Sequence, residues 1–304
     1  MENAWILFQQ LLQMLIYIAI GFVLFRTKLV TKEGSKALTH VLLYVILPCV
    51  IVNSYQLERN AETLRSVGWS LLLGALVLVV AMAVSALVFR RKQPIDNFSA
   101  SFSNAGFMGI PLITAVMGSG AVSYIAGMVA LLNALQWTYG QWVLSGDRKR
   151  ISVKSCLLNP IVLSLFVALI LYFTQLPLPG IVTRSISAIS ACNAPVAMII
   201  LGVFLGQSKL SVIFTDPKAW LCSLIRLVVV PVVTLLILWP LPEACHEIRM
   251  ALFLAASAPV GSNVAVYAEK LGMDSAYASR TVCLSTLLSV VTMPLLLAAA
   301  QLIW

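Results

Sequence analysis

Long apolar stretches of about 20 residues alternate along this chain with short polar connections. Stretches of that length predict membrane-spanning α-helices, because about 20 helical residues cross the roughly 30 Å hydrocarbon layer of a bilayer. We predict ten spans, at residues 4–25, 36–56, 67–90, 97–117, 120–145, 156–175, 181–205, 217–239, 247–268 and 276–301. The pattern therefore predicts an all-α polytopic membrane protein.

The composition agrees with this fold class and excludes several functions. Of 304 residues, 61% are hydrophobic and 10% are charged, whereas soluble domains average about 45–50% apolar and 25% charged residues. The net charge of +9 is spread over short loops, so we expect the lipid bilayer and no nucleic acid as a partner. The sequence contains no GxxxxGKS/T loop, HExxH helix or CxxC pair. We therefore predict that the protein is not an enzyme and has no metal or cofactor.

The distribution of Lys and Arg among the loops predicts an orientation. Fifteen of the 20 basic residues lie in loops that follow odd-numbered spans, four lie on the opposite side, and Arg226 lies within a span. Because basic loops face the cytoplasm, we expect both termini on the non-cytoplasmic side of the cell membrane (inner or plasma membrane). The fifteen are Arg26, Lys28, Lys32, Lys36, Arg90, Arg91, Lys92, Arg148, Lys149, Arg150, Lys154, Lys209, Lys218, Lys270 and Arg280.

Proline positions indicate an internal repeat. The basic loop between the fifth and sixth spans, at residues 146–155, divides the spans into two groups of five, 1–146 and 150–304. Because five is an odd number, the two halves have opposite orientations in the membrane. Pro48 and Pro195 are 147 residues apart, and Pro111 and Pro259 are 148 apart. Proline is common in membrane helices, but two pairs at nearly one offset favour inverted five-helix repeats, as in secondary transporters. We interpret these four prolines as crossover or hinge positions.

The fourth and ninth spans contain helix-breaking residues at membrane depth. Pro111 lacks an N–H and clashes with the Phe107 carbonyl, and Gly106 and Gly109 weaken the same helix. Freed backbone groups must face a cavity or another segment. If both spans break near the middle, they cross there, and the N-termini of their second halves direct partial positive charge at the crossing. This arrangement favours an anion such as a carboxylate.

Few polar residues lie inside the predicted spans, and each has competing interpretations. Asn104 and Asn263 lie in the two interrupted spans, where they either bind a ligand through their amides or make helix–helix contacts. Asn133 in the fifth span is either a site residue or a packing residue. Arg226 either pairs with a ligand, neutralises backbone carbonyls or extends to the membrane interface.

The strings NAGFMGIPL, residues 104–112, and APVGSNVAVYAEKLG, residues 258–272, resemble the auxin efflux carrier family, which includes bacterial malonate or small organic-acid permeases. The resemblance covers essentially the whole chain. It implies a fold similar to that of bile acid sodium symporters, with a scaffold of spans 1, 2, 6 and 7 (4–56 and 156–205) and a transport domain of spans 3–5 and 8–10 (67–145 and 217–301). It also implies elevator movement and a homodimer.

Single residues extend the resemblance. It implies that Asn104 contacts substrate, that Pro111 and Pro259 are the crossover prolines, that Asn133 replaces a substrate-contacting glutamine, and that Arg226 is the family's basic residue in the eighth span. The chain departs from the plant carriers in its short central loop, its lack of an acidic partner in the third span, and the apolar and aromatic residues that replace substrate-facing serines in the second. These departures argue against auxin as the substrate.

We predict a permease of a small organic anion, such as a mono- or dicarboxylate, that works by elevator-type alternating access. Coupling to H+ or Na+ is left open. Two alternatives remain: a Na+- or H+-coupled symporter of a bulkier, bile-acid-like anion, and a membrane sensor that does not transport. The expected substrate-binding residues are Asn104, Gly106, Phe107, Gly109, Asn133, Arg226, Gly261, Ser262 and Asn263.

Overall fold

A computed structural model describes residues 2–90, 92–147, 157–207 and 210–304. All regular elements in these ranges are helical. Seven of the helices, α1, α2, α3, α6, α8, α9 and α12, contain segments long and apolar enough to cross a membrane, which confirms the all-α polytopic prediction at that level. The helices of eight residues or more are α1 (Glu2–Arg26), α2 (Lys32–Ser54), α3 (Ala61–Phe89), α4 (Pro94–Ser101), α5 (Ala105–Met117), α6 (Ser119–Ser145), α7 (Pro160–Thr174), α8 (Gly180–Gln207), α9 (Pro217–Leu238), α10 (His246–Ser257), α11 (Asn263–Lys270) and α12 (Ser275–Ile303). Two shorter helical segments lie at Leu210–Ile213 and Glu243–Cys245.

The remaining three predicted spans correspond to shorter helices. The sixth is α7, which has 15 residues and begins after Asn159, whose side chain accepts a hydrogen bond from the Ile161 N–H. The fourth predicted span is divided into α4 and α5, and the ninth into α10 and α11. Predicted ends are also wrong by several residues elsewhere. For example, α3 begins at Ala61 instead of residue 67, because Asn60 and Thr63 form a capping box there.

Part of the predicted basic face lies outside the described residues. This applies to most of the central loop between α6 and α7 and to single positions in two other loops. The residues concerned are Arg91, Arg148, Lys149, Arg150, Lys154 and Lys209.

Prolines within α2, α5 and α9 each follow a π-helical turn. The turn and proline pairs are Leu42–Ile46 with Pro48, Ala105–Gly109 with Pro111, and Ile225–Val229 with Pro231. A π turn pairs a carbonyl with the N–H five residues later, and a proline has no N–H to continue that series. In α5 the Gly106 carbonyl would pair with residue 111, but Pro111 has no N–H to donate. The Asn193 side chain of α8 donates a hydrogen bond to this carbonyl instead, at 3.2 Å. Helix α8 has two parts, Gly180–Ala191 and Asn193–Gln207, separated by a turn at Cys192. Pro195 lies in the first turn of the second part, two residues after Asn193.

Glycines allow α1 and α8 to pack with their backbones in direct contact. A Cβ atom built on Gly202 would overlap the carbonyl oxygen of Ile18, and one built on Gly21 would overlap that of Ile199. Small residues permit such close approach of membrane helices, whose association depends on van der Waals packing. Both helices of this pair contact α5, and the Asn193 side chain of α8 bonds to the α5 backbone.

Candidate functional site

The interruption between α4 and α5 crosses the interruption between α10 and α11 in the interior of the molecule. The Asn104 N–H donates to the Pro259 carbonyl at 2.7 Å, and the Gly261 N–H donates to the Phe102 carbonyl at 3.0 Å. These two bonds flank an isolated antiparallel bridge between Ser103 and Val260. Each break therefore satisfies backbone groups of the other, which membrane-depth chain segments require.

The first break lies earlier than the sequence predicts. Helix α4 ends at Ser101, and α5 begins at Ala105, so Gly106, Gly109 and Pro111 all lie inside α5. The position of the first break is set by its backbone pairing with the second break. Gly261 of the second break permits this close approach, because a Cβ atom on it would lie 3.2 Å from the carbonyl oxygens of both Phe102 and Ser103. Our assignment of the break to Pro111 and its neighbouring glycines is therefore wrong, because the π turn accommodates that proline.

Seven of the nine predicted site residues line one small cavity of about 20 Å³ at the crossing. They share it with Leu43 and Leu47 of α2 and with residues of α6. The seven are Asn104, Gly106, Phe107, Asn133, Gly261, Ser262 and Asn263. A cavity of this size has room for about one water molecule, so in this conformation the crossing is closed around its polar groups.

The start of α5 presents unused hydrogen-bond donors to this cavity. The Asn104 carbonyl accepts from the N–H groups of Met108 and Gly109, at 3.0 and 3.1 Å. The N–H groups of Ala105, Gly106 and Phe107 precede the helical ladder, as at any helix N-terminus. In addition, the side-chain Nδ2 of Asn104 is buried and has no hydrogen-bond partner among the described residues, and neither has the Ser103 hydroxyl. Buried donors without partners are rare in native structures, so these atoms are available to a bound acceptor.

The remaining two predicted residues lie elsewhere. Gly109 packs inside α5, where a Cβ atom would lie 3.6 Å from the Ala255 Cα of α10. Arg226 is 1% exposed and lines neither the crossing cavity nor the larger one described below. Its guanidinium donates to the carbonyls of Ala258 and Ala100, both at 3.1 Å, and to that of Ala256. It thus neutralises the carbonyl ends of α4 and α10, which was one of the roles open from sequence.

The structure adds Gln136 and Ser103 to the lining. The Asn263 side chain donates to the Gln136 Oε1 at 2.9 Å, and Asn133 donates to the Val129 carbonyl one turn earlier in its own helix, at 2.8 Å. Gln136 follows Asn133 by three residues, so the two lie on one face of α6. That spacing was visible in the sequence, but nothing local indicated that α11 faces it.

A second, much larger cavity adjoins the crossing. It has a volume of about 560 Å³, and we call it the vestibule. Leu43, Asn133 and Asn263 line both cavities, so the vestibule ends at the crossing. Its charged residues are Lys32 and Lys36 at the start of α2 and Glu269 and Lys270 at the end of α11. The excess of positive charge favours anions. The described residues contain no group of three or more His, Cys, Asp or Glu suited to a metal ion.

Comparisons with known proteins identify the family. Residues 6–297 match the family Mem_trans, described as membrane transport protein. The chain belongs to this family. The predicted resemblance to auxin efflux carriers is thereby confirmed. One relative is an "Uncharacterized transporter" of Methanothermobacter thermautotrophicus, 24% identical over 302 residues, which cover 94% of this chain and 96% of the relative. Another is a "Putative malonate transporter" of Rhizobium meliloti, 26% identical over 252 residues, which cover 78% of this chain and 76% of the relative. Family and relatives alike are transporters.

Proposed function

We propose that this protein is a secondary transporter of a small organic anion, such as a mono- or dicarboxylate, and that it binds the anion at the crossing. The observation that carries the proposal is the unpartnered Asn104 Nδ2, which lies beside the N-terminus of α5 and lines the crossing cavity. A carboxylate accepts hydrogen bonds from side-chain amides, and it is stabilised by the positive end of a helix. The relative that carries the name "Putative malonate transporter" points to the same chemical class.

The proposed transport cycle is of the elevator type. The scaffold comprises 4–56 and 156–205, the transport domain comprises 67–145 and 217–301, and the ten spans form two inverted repeats. In this scheme the crossing moves with the transport domain, whereas Leu43 and Leu47 of α2 and Asn193 of α8 belong to the scaffold. Movement of the crossing away from Leu43 and Leu47 enlarges the cavity from its closed size of about 20 Å³, and the same movement breaks the hydrogen bond from Asn193 to Gly106. An organic anion needs this enlargement to enter.

The proposal includes Arg226 as an indirect contributor. Because its donors are engaged by carbonyls of α4 and α10, it acts on a ligand through the positive potential that it adds behind the crossing. The remaining predicted contacts come from the backbone of Gly106, Phe107 and Gly261 and the side chains of Asn133, Ser262 and Asn263. In the same scheme the protein is a multi-pass cell-membrane protein with both termini outside the cytoplasm and assembles as a homodimer.

The test is malonate uptake into proteoliposomes that contain purified protein. A hydrogen bond to a charged group contributes about 1.5–3 kcal/mol, so Asn104→Ala should weaken malonate binding about 10- to 100-fold and reduce uptake accordingly. The control is Asn53→Ala in α2, since Asn53 lines neither cavity. Both variants should unfold at the temperature of the wild type.

The outcomes separate the alternatives. Uptake that is unchanged by Asn104→Ala removes the assignment of the crossing as the site. Malonate binding without flux favours a sensor. Uptake that requires Na+, or that is seen only with bulky steroid-like anions, favours a symporter of the bile acid type.

A further inference from the structure

Two lysines at the start of α2 converge on a single carboxylate oxygen. The Nζ atoms of Lys32 and Lys36 lie 3.0 and 3.3 Å from Oε1 of Glu269. Because the lysines are four residues apart, they lie on one face of the helix. All three side chains are partly exposed, at 49, 55 and 40% respectively. Ion pairs with this exposure contribute about 0–1 kcal/mol, so another carboxylate can displace Glu269 readily.

These three residues line the vestibule. The fourth charged residue of its wall is Lys270, whose Nζ lies 5.4 Å from the centre of the Trp137 ring. Among the described lining residues, Glu269 therefore carries the one negative charge against three lysines. When its carboxylate is replaced by that of a ligand, the ligand takes over the neutralisation of the two α2 lysines and no new charge is buried.

The vestibule leads from these lysines to the crossing, because its inner wall includes Asn133 and Asn263. We infer that Lys32 and Lys36 form a carboxylate-binding site at the mouth of this path, and that the Glu269 carboxylate occupies the site when no organic anion is bound. An arriving anion exchanges with Glu269 before it reaches the crossing. The inference relies on the proposed function for the nature of the ligand, but the site is defined by its own residues.

The experiment measures malonate uptake and malonate binding for three variants. The double variant Lys32→Gln/Lys36→Gln removes the site, and we expect its KM to rise about three- to five-fold with kcat unchanged. Glu269→Gln vacates the site, and we expect KM to fall about three-fold. The control is Lys28→Gln, since Lys28 is exposed, lies in the loop just before α2 and does not line the vestibule. Both changes in KM should diminish in about 0.5 M NaCl, because salt screens exposed charges.

The third variant combines all three substitutions. If Glu269 acts by occupying the lysines, adding Glu269→Gln to the double lysine variant leaves KM at the value of that double variant. If Glu269→Gln lowers KM in the double lysine variant as much as it does in the wild type, the inference is overturned. It is also overturned if the double lysine variant has the KM of the wild type.

Failure of this site and failure of the proposed function give different results. If Asn104→Ala removes uptake while the lysine variants behave like Lys28→Gln, the crossing stands and the mouth site is wrong. If the wild type shows no malonate flux, equilibrium binding decides. Tighter malonate binding to Glu269→Gln than to the wild type supports the mouth site, and equal or absent binding overturns it.

Discussion

Replacement of Arg226 by methionine tests what holds the two breaks together. Methionine is also long and flexible but has no donor, so three buried carbonyls, those of Ala100, Ala256 and Ala258, lose the partner that the guanidinium provides. Each unsatisfied buried acceptor costs about 1–3 kcal/mol, which is about 3–9 kcal/mol for three. Removal of a cation that is 1% exposed relieves a desolvation penalty of several kcal/mol and opposes this loss. We expect a net destabilisation of about 3–5 kcal/mol.

Thermal unfolding of the purified protein in detergent measures this effect. A loss of 1 kcal/mol lowers Tm by about 2–4 °C in proteins of 150–250 residues, so Arg226→Met should lower the unfolding temperature by about 6–20 °C. The unfolding temperature of Arg226→Lys should lie between those of Arg226→Met and the wild type, because a single ammonium group cannot span three acceptors as a planar guanidinium does. The control is Arg65→Gln at an exposed position of α3, which should change Tm by less than about 2 °C.

An Arg226→Met protein that melts at the temperature of the wild type but no longer gains stability from malonate would contradict the structural role of Arg226. That result would mean that Arg226 binds the ligand and that its hydrogen bonds to the carbonyls contribute little to the stability of the protein. A loss of stability with a malonate-induced shift that is smaller but still present would support the structural role, because Arg226 then reaches the ligand only through its positive potential.

Three glycine substitutions give further expected outcomes. Gly261→Ala places a Cβ atom 3.2 Å from the Phe102 carbonyl oxygen; it should lower stability by about 1–3 kcal/mol and reduce malonate uptake, and normal uptake would contradict the need for close backbone contact at the crossing. Gly202→Ala overlaps the Ile18 carbonyl of α1 and should lower Tm by several degrees. A Cβ atom on Gly68 has nothing within 4 Å, so Gly68→Ala should be neutral or stabilise by about 0.5–1 kcal/mol. Equal Tm values for Gly202→Ala and Gly68→Ala would contradict the close α1–α8 packing.

Apolar segments of membrane length predict this all-helical architecture directly, because each helix satisfies its own backbone and its hydrophobicity is a local property. The two interrupted segments were visible for the same reason, since proline, glycine and asparagine stand out in an apolar background. The sequence could therefore indicate that Asn104 and Asn263 belong near each other. The structure places both on the wall of one cavity.

The sequence did not reveal what depends on pairing between distant segments. The first break lies at Phe102–Asn104 because its backbone pairs with the second break 155 or more residues later, and local helix-breaking tendency pointed instead to Pro111. The contact of Asn193 likewise depends on a distant segment, since its side-chain amide donates to the Gly106 carbonyl, 87 residues earlier.

By itself, the sequence determined the helical class, the family and the neighbourhood of the crossing, since these follow from hydropathy, local helix breakers and characteristic strings. Only the tertiary structure decided which polar groups meet. Arg226 could have faced a ligand, lipid headgroups or carbonyls, and the packing of α9 against α4 and α10 directs it to the carbonyls. The physical reason is that a buried charge or donor takes its partner from helices far away in sequence, whose approach depends on packing over the whole molecule.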